Sequence, residues 1–137
     1  IGGACDVDAG VVTINGGTVT ATGGEFGAGI VGKMRNMPDF LHRIYQLLSD
    51  DGQLLIDSSD LKYLYENEDG TYDIDPAGPY YGEVDYQMCY RKVKGEPFDW
   101  LYVDFKTLKM LSETNNLCCE LVKEGEHFDY LARITKK

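Results

Sequence analysis

From Asn36 onward, apolar residues recur at helical spacing: Met37, Phe40, Leu41, Ile44, Leu47 and Leu48 share one face. Asn36 is placed to cap this helix, Pro38 falls in its first turn, and Asp39 suits the positive end of its dipole. Asp50-Asp51-Gly52 ends it. Gln53 to Ile56 is then a short, continuous apolar run closed by Asp57, as expected of a parallel strand covered on both faces. Residues 58–79 are acidic and turn-rich, with Asp69-Gly70 and prolines at 76 and 79; a helical turn is expected at Leu61 to Tyr65. Tyr80 to Val93 alternates well enough to predict one long strand, with Val84, Tyr86, Met88 and Tyr90 on one face. Another short extended piece is expected at 98–103. Asp104 is placed to cap a helix carrying Phe105, Leu108 and Leu111, and Asn115-Asn116 ends it. Leu117 to Glu124 and Phe128 to Thr135 read as the last strands, broken at Gly125-Glu126.

The order is helix, strand, loop, long strand, helix, strands. It predicts an α/β fold: one end of a doubly wound sheet, with two main helices, a parallel strand and antiparallel strands at the edge. The first thirty residues are of another character. Residues 1–32 hold 10 of the 16 glycines and no Lys or Arg. Val11, Thr13, Thr18, Thr20 and Thr22 are β-formers, and Asn15-Gly16-Gly17 is a turn signal between two short strands. A small hairpin or a single repeat rung is expected there. A lone rung is weakly ordered unless it joins the sheet of the neighbouring domain.

Charge narrows the partners. The formal net charge is −10, with −3 in residues 1–32 and −7 thereafter. So acidic a surface repels phosphate backbones, which argues against nucleic acid. No apolar run is long enough for a membrane helix, and no signal peptide is visible at the start, so a cytoplasmic, membrane-free protein is expected. Cys5, Cys89, Cys118 and Cys119 lack metal-ligand spacing, and adjacent strand residues point to opposite faces. Reduced thiols, no zinc site and no disulfide framework are expected.

Two resemblances rest on particular stretches. "MPDFLHRIYQLLSDDGQLLIDSSDLKYLY" resembles class I S-adenosylmethionine-dependent methyltransferases from the helix before strand 5 through that strand, with a glycine preceding the strand. "YYGEVDYQMCYRKVKGEPFDWLYVDFKTLKMLSETNNLCCELVKEGEHFDYLARI" is similar to strand 6, the next helix and strand 7 of that family. "GIVGK", Gly29 to Lys33, looks like the loop after strand 4. The resemblance covers residues 29–137 and points to one bacterial subgroup. It implies the C-terminal half of a Rossmann-like methyltransferase sheet. Separately, "NGGTVTATGG" resembles glycine-rich repeats of extracellular bacterial β-solenoid proteins. The chain thus divides into a Gly/Thr-rich β segment at 1–28 and a methyltransferase-like half-domain at 29–137.

By that resemblance the cofactor is S-adenosylmethionine, and the acceptor is an unspecified small molecule or protein. The family grips its cofactor with strands 1 to 4, and nothing before residue 29 leaves room for them. The chain alone is therefore expected to be truncated, inactive and without cofactor. "EFGAGIVG" imitates the family's glycine-rich motif but stands too close to strand 5; Gly29 and Gly32 are its weak candidates. The candidate substrate-binding residues are Asp57, Ser58, Ser59, Asp60, Tyr63, Tyr81 and His127. Asp57 to Asp60 come after a parallel strand, where open sheets bind ligands; the plainer reading has Asp57 ending the strand and Asp60 capping the next turn. Tyr63, Tyr65, Tyr80, Tyr81 and Tyr86 form either an aromatic wall or rim packing. His127 is flanked by Glu126 and Phe128, which on a strand point away from it; a surface role competes with a base. His42 belongs to the polar side of its helix.

No metal is expected. The acidic loop fails as an EF-hand, because Gly70 as sixth residue would put Tyr65 first and Pro76 twelfth. There is no Ser-His-Asp elbow, phosphate loop or His-x-x-x-His pair. Two alternatives to a methyltransferase stand: a non-catalytic binding or assembly module that self-associates through an exposed sheet edge, and a fragment of a repeat-bearing surface protein.

Overall fold

The computed structural model describes residues 31–137 and, before them, the backbone of Val19–Ala21. The expected Asn15-Gly16-Gly17 turn, the first half of the hairpin, Cys5 and Gly29 lie outside the described residues.

Four strands form the main sheet. β1 (Val19–Ala21) lies beside β2 (Gln53–Ser59), then β8 (Asp129–Lys136), then β7 (Leu117–Glu124). β1 runs parallel to β2, with Thr20 opposite Leu55. β8 is antiparallel to both β2 and β7. The mixed α/β sheet is thus the expected one, and the end of the Gly/Thr-rich segment pairs with it.

Period-two alternation sets the core. Leu54, Ile56 and Ser58 of β2 are buried, as are Tyr130, Ala132 and Ile134 of β8 and Leu117 and Cys119 of β7. Against this face pack both helices, α1 (Met37–Leu47) through Met37, Leu41 and Ile44, and α2 (Phe105–Thr114) through Leu108. The opposite face carries half-buried Leu55, Asp57 and Leu131, with Arg133 paired to Glu120. On that outer face of β2, Leu55 and Asp57 are half-buried and Ser59 is buried, so burial is deepest on the side under the helices.

Two further expectations are corrected. Asn36 precedes α1, but its side chain caps nothing there. A 3-10 turn at Met34–Asn36 runs straight into the helix, which leaves Asn36 in a helical backbone (φ −89°, ψ −12°) and not the extended one a cap needs. Its amide instead donates to the Val31 carbonyl at 3.0 Å. Tyr80 to Val93 is not one strand. It breaks into β3 (Glu83–Tyr86), β4 (Cys89–Tyr90) and β5 (Val93–Lys94), with a turn at Arg91 in the left-handed region (φ 54°). β4 and β5 form a tiny hairpin, and β3 pairs antiparallel with β6 (Phe98–Leu101) in a ribbon apart from the main sheet. Both final sheet strands accordingly come after α2, and no sheet strand immediately precedes it.

The other local expectations agree with the structure. A 3-10 helix spans Leu61–Tyr65. Asp104 caps α2 by accepting from Thr107 N at 2.9 Å, and Asn116 ends it in the left-handed region (φ 59°). Among the described residues no helix is long and apolar enough to cross a membrane, and Cys89, Cys118 and Cys119 are free thiols.

Candidate functional site

The carboxyl end of β2 gathers most of the candidate residues. The strand runs through Asp57, Ser58 and Ser59 and stops at Asp60. Asp60 caps the 3-10 turn by accepting from Lys62 N at 2.9 Å, while its own amide donates to Phe128 O at 3.0 Å. The loop carrying His127 and Phe128 is thereby fastened beside the strand end.

Three of the candidates are occupied by the fold. Ser58 is buried and its hydroxyl accepts from Val103 N at 2.9 Å; Tyr130 Oη in turn donates to Val103 O at 2.7 Å. These two bonds fix the segment entering α2 against β2 and β8. Asp60 and Tyr81 belong to a second network. Tyr81 Oη lies 2.8 Å from Asp60 Oδ1 and 3.2 Å from Asp104 Oδ2, so its single proton bridges two carboxylates. Tyr80 Oη donates to Asp104 Oδ2 at 2.6 Å and accepts from Asp104 N at 2.9 Å. Tyr65 Oη donates to Tyr81 O at 3.1 Å.

The electrostatics of this network are those of donors and acceptors already satisfied. Burial pushes the Tyr80 phenol up, and burial together with the Tyr80 and Asp60 hydrogen bonds does the same to Tyr81. Both stay protonated at neutral pH and serve as hydrogen-bond donors, not bases. Burial pushes Asp104 up, but hydrogen bonds from Thr107, Tyr80 and Tyr81 outweigh it and hold the carboxyl below its ordinary value. The cluster is an anchor: it ties the 3-10 turn, the segment at Tyr80-Tyr81 and the N-terminus of α2 to one point.

Three candidates keep an open side. Tyr63 stacks on Phe128, with ring centroids 4.5 Å apart and planes 11° from parallel; both residues are partly exposed. His127 is exposed, and its backbone N donates to Asp129 Oδ1 at 3.0 Å. Asp57, on the outer face of β2, has its carboxyl pushed up by burial and by the charge of Asp129. Ser59 is buried.

The tyrosines divide between two places. Tyr63, Tyr65, Tyr80 and Tyr81 meet at the strand end, whereas Tyr86 belongs to the ribbon, where it packs with Phe98 and Trp100 and meets the Tyr102 hydroxyl at 3.0 Å. His42 is exposed on α1 and contacts Gln46 at 3.0 Å. Two contributors escape a reading by pattern: Asp104, whose sequence signal is only that of a helix cap, and Phe128, whose left-handed backbone (φ 63°) has no signal in a bulky residue.

Of the glycine-rich candidate, Gly32 is among the described residues. Gly32 adopts the left-handed region (φ 71°) with Asp99 Cβ against it, and the next two amides are taken, Lys33 N by Val31 O and Met34 N by a Glu83 carboxylate oxygen. Lys33 itself sits between Asp85 and Asp99, each at 3.1 Å, and Glu83 at 3.8 Å. The amides of Lys33 and Met34 are thus both bonded within the fold. Among the described residues no group of His, Cys, Asp and Glu could hold a metal ion.

No protein-family model and no curated protein matches the chain. Among solved structures, it is similar to a SAM-dependent methyltransferase from Bacteroides fragilis in complex with S-adenosyl-L-homocysteine. The two are 48% identical, with a TM-score of 0.75 over 87% of this chain and 47% of that one. The chain spans about half the length of that methyltransferase.

Proposed function

The chain carries part of an S-adenosylmethionine-dependent methyltransferase fold, and we propose that it forms the acceptor-side portion of such an enzyme. The observation that carries this reading is the 48% identity to a methyltransferase over 87% of the chain. On this reading the site residues divide the labour. Ser58, Asp60, Tyr80, Tyr81 and Asp104 hold the carboxyl end of β2 in shape. Tyr63, His127 and Asp57 are the candidate side chains left to meet a methyl acceptor: an aromatic face, an imidazole and a carboxylate. Fold alone does not name the acceptor.

The same reading has the 137-residue chain by itself fail to bind the cofactor. Its one glycine-rich candidate among the described residues, Gly32, lies against Asp99, and the next two amides are occupied. Isothermal titration with S-adenosylhomocysteine tests this. We expect no saturable heat up to about 1 mM ligand, a free energy weaker than about −4 kcal/mol. Micromolar affinity for the chain alone would overturn it.

A further inference from the structure

We propose that the chain forms a twofold dimer in which the β4–β5 hairpin of each copy docks on the acidic loop, residues 66–75, of the other. The inference is independent of methyl transfer.

The hairpin runs against the charge of the chain. Residues 86–95 hold Arg91, Lys92 and Lys94 and no acidic residue, a local charge of +3 in a chain whose net charge is −10. All three cations are exposed, and no ion pair among the described residues includes them. Apolar side chains accompany them: Met88 is 56% exposed, Tyr90 71% and Val93 69%.

Nothing among the described residues rewards this exposure. β4 and β5 are two residues each and pair only with each other. A two-stranded hairpin alone is marginally stable in water. The left-handed backbone of Arg91 (φ 54°) works against it further, because a side chain crowds that conformation. Apolar surface held out in this way gains stability when a partner covers it.

The complement lies in the same chain. Residues 66–75 hold Glu66, Glu68, Asp69, Asp73 and Asp75 and no basic residue. All five are exposed, and no ion pair among the described residues includes them. The loop is held in shape from within. Asn67 N donates to Thr71 O at 2.8 Å, and Thr71 N donates to Asp69 Oδ1 at 3.0 Å. Asp73 N donates to Tyr65 O at 2.8 Å, which fastens the loop to the 3-10 turn. That turn carries Leu64, 62% exposed, and the loop carries Tyr72, exposed beside Lys62. Opposite charge and exposed apolar side chains thus occur on both segments, and a loop already shaped has little order to gain on docking.

Charge and symmetry select the occupant. An extended polyanion reaching past the hairpin would meet the acidic remainder of the chain. A second copy offers a patch of loop size. About a twofold axis each copy gives its hairpin and receives its partner's, so both patches of both copies are used and assembly closes at two.

Sedimentation equilibrium of the full 137-residue chain in 0.1 M NaCl tests this. We expect a dimer with a dissociation constant on the order of 10 μM, in the range of small transient interfaces, and a monomer with a free hairpin at concentrations well below it. Raising the salt to 0.5 M should weaken the dimer by about tenfold, because the charges that meet are exposed. Lys92→Glu with Lys94→Glu should weaken it by about tenfold or more, and so should Glu66→Lys with Glu68→Lys and Asp73→Lys. All five positions are exposed, so the fold tolerates the reversals. Mixed one to one, the two variants should associate about tenfold more tightly with each other than either does with itself, since each patch then meets its opposite. A chain monomeric at about 1 mM, growth beyond the dimer, a dimer indifferent to either set of reversals, or variants that fail to pair with each other would each overturn the proposal.

Discussion

Two aspartates at the candidate site respond to pH with opposite signs, and both signs result from what each carboxyl touches. Asp104 takes hydrogen bonds from Thr107, Tyr80 and Tyr81, and its carboxyl lies below the ordinary value. Folding therefore favours its charged form. Its contribution is present above about pH 4 and disappears as pH falls through the depressed folded value. Asp104→Ala removes a helix cap, worth about 1 kcal/mol, and leaves the half-buried Tyr80 hydroxyl without its acceptor. We expect a loss of about 2–3 kcal/mol in urea unfolding at pH 7. Asp104→Asn keeps a capping oxygen, so it should lose less and show a flatter acid limb. Asp57 runs the other way. Burial and then Asp129 raise its carboxyl, so the fold disfavours the charge it carries at neutral pH. Protonation as pH falls through the raised folded value relieves that. Asp57→Asn should accordingly raise the melting temperature at pH 7 and leave it unchanged in acid well below the carboxylate range. A lower melting temperature at pH 7 would show that Asp57 makes a contact worth more than its desolvation.

At the scale of elements, the segment from Tyr80 to Tyr102 is where pattern and structure part. α1, β2, the 3-10 turn, α2 and the final two strands are legible because each carries its own period or its own cap. Tyr80 to Val93 also alternates, but alternation does not say which strand is the neighbour. β3 pairs with β6 and not with the main sheet, Glu83, Asp85 and Asp99 tie the ribbon to Lys33 and Met34, and its ladder ends in a backbone contact with no side-chain signature. Tyr102 N donates to Gly82 O at 2.8 Å, and a Cβ built on Gly82 would collide with Tyr102 O and lie 2.9 Å from Tyr80 Cε1. Nothing in the sequence marks Gly82 as different from the other glycines near turns. The obstacle is backbone, which cannot swing away as a side-chain tip can. Gly82→Ala should therefore cost about 1–3 kcal/mol, the range of an overpacked site, and should do so by displacing the ribbon. Trp100, in β6, reports this directly: its emission should change in Gly82→Ala at temperatures where the far-ultraviolet dichroism of the helices is still native. An unchanged Trp100 spectrum would mean that the ribbon accommodates the methyl group. The candidate site is legible to the same degree. The strand end places Asp57 to Asp60, but the closing of Asp60 and Tyr81 into a network with Asp104 depends on residues 104 and 60 meeting across the fold.

Across the whole molecule, stability should be graded from the sheet core outward. Leu54, Ile56, Ala132 and Ile134 are all almost wholly buried between strands that bond on both sides and two helices. β4 and β5 are two residues each, every residue is exposed, and Cys89, Tyr90, Val93 and Lys94 pair only with one another across the hairpin ladder. Local opening costs little where few apolar contacts must be broken and approaches the global unfolding energy where the core must be. Native-state hydrogen exchange should therefore show three tiers. The amides of the β4–β5 hairpin should exchange first. The β3–β6 ribbon should come next, held by its own ladder and by the Gly82–Tyr102 contact. The β2–β8–β7 amides should come last, with protection matching global stability.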